Sequence, residues 1–157
     1  MSSVGRRLLS DPRRLFDLER WTVWLVALHS AVVGLMLLGF PAWSARFGGW
    51  SGASPLFFPM QAGVFHFVVV LGYVQEFHAQ RGVRLLVATK TIAFVFLISA
   101  WLSGEAAWSV PFSGFADGAM GLGVALIDRA RRRAEAAGRP ASPGRLSQDQ
   151  PGGREPR

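Results

Sequence analysis

The residues of this chain with chemistry to offer are few, and they stand in apolar surroundings: His29, His66, Tyr73, Glu76, Lys90 and Asp117. An ionisable side chain at mid-bilayer costs at least ~2.5 kcal/mol on insertion scales, so it faces a partner rather than lipid. At 100° per residue His66, Tyr73 and Glu76 fall on one helix face with Ala62 and Val69, while Gln61 and Gln75 project elsewhere. Such a stripe suits a proton relay or a polar ligand. It equally suits hydrogen bonds between helices, with Tyr73 and Glu76 near a wet interface. Asp117 has Gly114, Gly118 and Gly121 at i−3, i+1 and i+4, so it points into a close helix contact and needs a donor or cation there. Lys90 can snorkel to the surface. It can also pair with Glu76, which lies at similar depth if the two segments form a hairpin, and this is the contact the spacing predicts. His29 is within reach of Asp117.

Several chemistries are excluded. The chain has no cysteine, which removes disulfides, thiolate metal sites, iron–sulfur clusters and quinone-linked disulfide enzymes together. No nucleophile triad, phosphate loop, dinucleotide fingerprint or metal cluster is present. Bis-histidine haem ligation needs two level histidines. His29 and His66 lie eight and six residues from opposite ends of their segments, a depth difference of roughly 8 Å or more at 1.5 Å per residue. No metal site and no cofactor is predicted; a quinone is the one left open.

These residues need elements to hold them, and the elements are apolar. The charged residues between Trp21 and Ile127 are Arg46, Glu76, Arg81, Arg84, Lys90, Glu105 and Asp117; the rest lie at the two ends. About 20 apolar residues cross a hydrocarbon core of roughly 30 Å. Four segments qualify: 21–40, 60–77, 85–102 and 108–127. The last is Gly- and Ala-rich and the least hydrophobic, with a re-entrant helix as its alternative. Arg6, Arg7, Arg13, Arg14 and Arg20 precede the first segment, Arg81 and Arg84 lie between the second and third, and Arg129, Arg131, Arg132 and Arg133 follow the fourth. With four spans every basic cluster falls on one side, as the positive-inside rule requires. The expectation is an all-α, integral membrane four-helix bundle over 21–128, in the inner (plasma) membrane, with both termini cytoplasmic. Trp21, Trp43, Trp50, Trp101 and Trp108 sit near the predicted interfaces. The first span reads as an uncleaved anchor, since its apolar stretch exceeds a signal peptide's.

At the N-terminus, Ser10-Asp11-Pro12 starts a helix. Residues 1–20 are expected to be a basic segment with a short amphipathic helix that lies on the membrane surface or runs into the first span. Its arginines are explained by topology and anionic lipid, without nucleic acid. The loop 41–59 carries Trp43, Phe47, Trp50, Phe57 and Phe58, and either caps the bundle or lines a ligand entrance. Residues 138–157 read as a disordered cytoplasmic tail. Gly114 and Gly118 form a GxxxG pair, a face that suits a membrane partner or a second copy of the chain.

The stretches FPMQAGVFHFVVVLGYVQEF, TKTIAFVFLISAW and SGFADGAMGLGVALI resemble small four-helix bacterial membrane proteins of the DoxX-like group, over roughly residues 20–130. That resemblance implies a redox accessory role, since some members are linked to quinone-dependent sulfur oxidation or membrane-associated redox complexes. The leading expectation is a non-enzymatic accessory or interaction subunit. The alternatives are a quinone-linked oxidoreductase subunit using His66, Tyr73 and Glu76, and a small-solute or proton carrier using Asp117 and Glu76.

Overall fold

The computed structural model describes residues 11–51 and 55–137. Within them are five helices: α1 (Pro12–Gly39), α2 (Pro41–Phe47), α3 (Phe57–Gln80), α4 (Arg84–Leu102) and α5 (Ser109–Ala137). No strand occurs among the described residues. α1, α3, α4 and α5 are long and apolar enough to cross a membrane, in agreement with the four predicted segments. α5 is one continuous helix of 29 residues, about 43 Å long at 1.5 Å per residue, long enough to cross a membrane. Arg6, Arg7 and the tail 138–157 lie outside the described residues.

The large apolar side chains point outward. Trp21, Leu25, Leu71, Ile92, Phe96 and Leu102 are each at least 67% exposed. In water such a surface would be strongly unfavourable at about 25 cal/mol per Å²; against hydrocarbon it costs nothing. The buried side of the bundle is built from smaller groups. α1 packs closely on α3 and on α5, and α5 on α4, while α3 and α4 touch more sparingly. Gly34 and Gly63 let α1 and α3 approach backbone to backbone, since a Cβ at position 63 would lie 2.9 Å from the Gly34 carbonyl oxygen. Gly114, Gly118 and Gly121 receive Ile98, Phe94 and Lys90 of antiparallel α4. This corrects one expectation. The Gly114/Gly118 face is covered by α4 of the same chain, so in this fold it is not open to a second copy or another partner.

Of the two N-terminal alternatives, the described residues follow the one in which the helix runs into the first span. Asp11 caps α1, accepting from the Arg13 amide at 3.0 Å, with Pro12 in the first turn. The helix then runs unbroken from Pro12 into the first span. The reason is burial: Leu15 is 3% and Glu19 0% exposed, and both are held against the bundle.

The end of the bundle that carries the start of α1, the α3–α4 turn and the end of α5 is here called the basic end. Arg131 organises it. Its Nε lies 2.6 Å from Glu19, and its terminal nitrogens donate to Asp128 at 2.9 Å and Glu135 at 2.8 Å. One of them also reaches the Arg81 carbonyl at 3.5 Å. Arg81 closes α3 in a left-handed conformation, φ 47°, and its guanidinium stacks over Phe16 at 5.3 Å. The cluster thus ties α1, the turn and α5 together. Toward mid-bundle follows an apolar layer of Val23, Val26, Tyr73, Phe77, Val83, Leu86 and Val124.

The opposite end is capped by aromatic side chains. Phe40-Pro41 ends α1, because proline cannot continue the ladder, and starts α2. Ser44 Oγ donates to the Met36 carbonyl at 2.9 Å. Trp108 Nε1 donates to the Phe47 carbonyl at 2.6 Å, and the Ser109 amide to Gly48 at 3.2 Å. Trp43 stacks on Phe47, which meets Trp108 edge-on.

Candidate functional site

Between this aromatic cap and mid-bundle lies a cavity of about 870 Å³, within the usual 300–1,000 Å³ of ligand sites. Its walls come from α1 (His29 to Leu37), α2 and the following loop, α3 (Phe58 to His66), Trp108 and α5 (Ser109 to Asp117), with Leu97 alone from α4. Most of the lining is apolar. Trp43, Phe47, Trp50, Phe58, Trp108 and Phe112 furnish the mouth, while His29, His66 and Asp117 supply charge and hydrogen bonds deeper in. The aromatic loop therefore both caps the bundle and lines an entrance.

The six residues singled out by the sequence separate into two sets. Lys90 and Asp117 form an ion pair, Nζ to Oδ1 2.5 Å, with side chains only 5% and 15% exposed. The predicted Lys90–Glu76 pair does not form. Glu76 accepts instead from the Arg84 amide at 2.9 Å and the Leu85 amide at 2.8 Å. The physical reason is the start of α4: Val83, its capping residue, has no side chain able to satisfy the first free N–H groups. The Glu76 carboxylate does so across the turn, and Gly82 leaves it room, since a Cβ there would meet Glu76 Oε1 at 2.9 Å. Lys90, further along α4 and buried, is left to Asp117.

The expected stripe on α3 is likewise divided. His66 lines the cavity; Tyr73, 2% exposed, belongs to the apolar layer below it; Glu76 is the cap at the turn. Three residues on one helical face reach three environments because α3 meets a different neighbour at each level. The Tyr73 hydroxyl lies near Thr89 of α4 without a well-formed hydrogen bond among the described residues.

His29 and Asp117 both line the cavity, and both histidines lie within electrostatic range of the Lys90–Asp117 pair. Gly34 is level with His66, a Cβ at 34 falling 3.0 Å from His66 Cβ. His29 lies five residues before Gly34 in α1, about 7.5 Å deeper at 1.5 Å per residue. A planar group could not take both rings as axial ligands. Among the described residues no group of three or more His, Asp or Glu side chains is placed to hold a metal ion.

Two features escape a sequence reading. One is the Glu19–Arg131 contact, which joins residues 112 positions apart. Only its local half, Asp128, Arg131, Arg132 and Glu135 at i+3 and i+4 spacings, is legible. The other is the cavity, whose apolar lining looks like any span.

Fold and site together define an all-helical protein with four membrane-spanning candidates, an aromatic-capped internal cavity and a buried ion pair at its polar wall. Comparison with protein-family models, curated proteins and solved structures finds no match to the chain.

Proposed function

We propose that this chain is a multi-pass plasma-membrane protein with both termini in the cytoplasm, and that it acts as an accessory subunit holding a lipophilic molecule with a small polar head. The observation that carries this reading is the cavity: apolar and aromatic along most of its wall, with His29, His66 and Asp117 gathered deeper in. A molecule entering there buries an apolar body and has directional contacts for one polar end, the usual design of a small-molecule site. A quinone is one such ligand, its head group meeting His29 and His66 rather than Tyr73 or Glu76.

The apolar layer favours holding over transport. Val23, Val26, Tyr73, Phe77, Leu86 and Val124 fill the bundle between the cavity floor and the basic end. A solute or proton carrier needs a polar or hydrated route through that layer, so the carrier reading ranks below this one.

Trp43, Trp50 and Trp108 are half of the chain's six tryptophans and all line the cavity. Titration of the purified protein in detergent with decylubiquinone or its reduced quinol should therefore quench tryptophan emission saturably, and solvent extraction of the protein as purified should release a lipophilic compound. Linear, non-saturating quenching together with an empty extract would overturn the reading. Orientation is tested separately. Cysteines introduced as Ser2→Cys and Ser147→Cys should be labelled only from the cytoplasmic face, and Ser51→Cys only from the other.

A further inference from the structure

The polar wall of the cavity says what kind of head group it takes. Its one formal charge, on Asp117, is already balanced: Lys90 Nζ sits 2.5 Å from Asp117 Oδ1. Lys90 stands behind the aspartate and does not line the cavity, whereas Asp117 does. A head group bearing a net charge would thus enter a low-dielectric site with no counter-charge left to meet it, at a cost of at least ~2.5 kcal/mol on insertion scales. The occupant is neutral.

The hydrogen-bonding side is equally asymmetric. A carboxylate paired with an ammonium only accepts. The second oxygen, Oδ2, has no donor among the described residues. An ether, ester or carbonyl oxygen placed against it would set two acceptors face to face. A hydroxyl placed there gains a charge-assisted O–H···O⁻ bond, roughly twice as strong as a neutral one. His29 and His66 add, when uncharged, one N–H and one bare nitrogen each. They accommodate either kind of ligand, so the discrimination rests on Asp117. Ser113, one turn before Asp117 and also on the wall, is a hydroxyl and does not alter the balance.

We propose that the ligand of this cavity carries a neutral hydroxyl, an alcohol or phenol, on an apolar body, and that the hydroxyl donates to Asp117. The aromatic mouth formed by Trp43, Phe47, Trp108 and Phe112 holds the body. This rests on the cavity-binding reading above and narrows it to one chemical class.

The test uses three probes of similar length on the full chain in detergent: 4-nonylphenol, its methyl ether 4-nonylanisole, and nonyltrimethylammonium, each followed by tryptophan quenching. The phenol should bind at least about tenfold more tightly than the ether, a modest share of what a site built for a hydroxyl can discriminate. The ammonium should bind more weakly than the phenol. Asp117→Asn keeps an amide oxygen for Lys90 but can turn N–H groups to the cavity, and should cut the phenol-to-ether ratio to within about threefold. If that variant does not fold, the wild-type ratio alone decides. Equal binding of phenol and ether, or tighter binding of the ammonium, overturns the hydroxyl assignment while leaving a binding cavity in place. Failure of all three probes to bind saturably overturns the cavity reading itself.

Discussion

Removal of the Lys90 ammonium should be among the most damaging single changes in this bundle. Lys90 and Asp117 are 5% and 15% exposed in their side chains, so they belong with buried pairs rather than with surface pairs worth about 0–1 kcal/mol. Lys90→Met keeps the length of the side chain and leaves Asp117 without its cation. Breaking one half of a buried pair costs about 3–5 kcal/mol. For a chain of this size a loss of 1 kcal/mol lowers Tm by roughly 2–4 °C, so Tm should fall by roughly 6–20 °C. Replacing both members, Lys90→Met with Asp117→Leu, removes the unpaired charge as well as the pair. The double variant should return to within about 1 kcal/mol of wild type, as apolar replacements of buried pairs commonly do. Thermal unfolding in detergent, followed by tryptophan fluorescence across the four-protein cycle, measures the coupling, which should reach at least about 2 kcal/mol. A loss below about 1 kcal/mol in Lys90→Met, or a double variant as damaged as the sum of the singles, would refute the pairing.

Three further outcomes follow from the packing. Gly63→Ala should destabilise by about 1–3 kcal/mol, because its Cβ meets the Gly34 carbonyl at 2.9 Å, whereas Gly72→Ala meets only the end of the Leu85 side chain, at 2.8 Å, and should cost clearly less; parallel thermal melts compare the two. Arg131→Met should cost about 3–5 kcal/mol through the stranded Glu19, which is 0% exposed, and the added change Glu19→Leu should recover most of it in the same assay. Glu76→Ala should cost about 0.5–2 kcal/mol, the usual value of a lost helix cap, and should speed amide hydrogen exchange at Arg84 and Leu85 without altering cavity ligands.

Much of the architecture was legible in residue order. Twenty-residue apolar runs can satisfy their backbone in lipid only as helices, so the four spans follow from hydropathy. Pro12 marks a helix start because proline has no N–H to lose there, whereas the helix at Pro41–Phe47 stood in what reads as a loop. The histidines' unequal depth was a matter of counting residues. Other features were read in part. The glycines on α5 announced a close helix contact without saying which helix would fill it. The partner is α4, which the hairpin from Leu102 to Ser109 holds alongside.

Charge pairing was not legible, and the reason is competition. Lys90 had two acids at plausible depth, Glu76 and Asp117. The choice depends on a third party, the unsatisfied amides of Arg84 and Leu85, which take Glu76 for themselves. Glu19 gave no sign of burial, since its neighbours Arg13, Arg14, Asp17 and Arg20 read as a wet surface; α5 running on to Ala137 covers it.

What the residue order determined by itself is therefore the set of four long apolar helices, because backbone hydrogen bonding in apolar surroundings is a local requirement that each segment meets alone. What only the tertiary structure decided is where His29, His66, Lys90 and Asp117 stand relative to one another, and that the space beside them is empty enough for a ligand. Those are properties of the gaps between helices. They depend on every interhelical contact at once, down to single glycines such as Gly34 and Gly63, and no one segment encodes them.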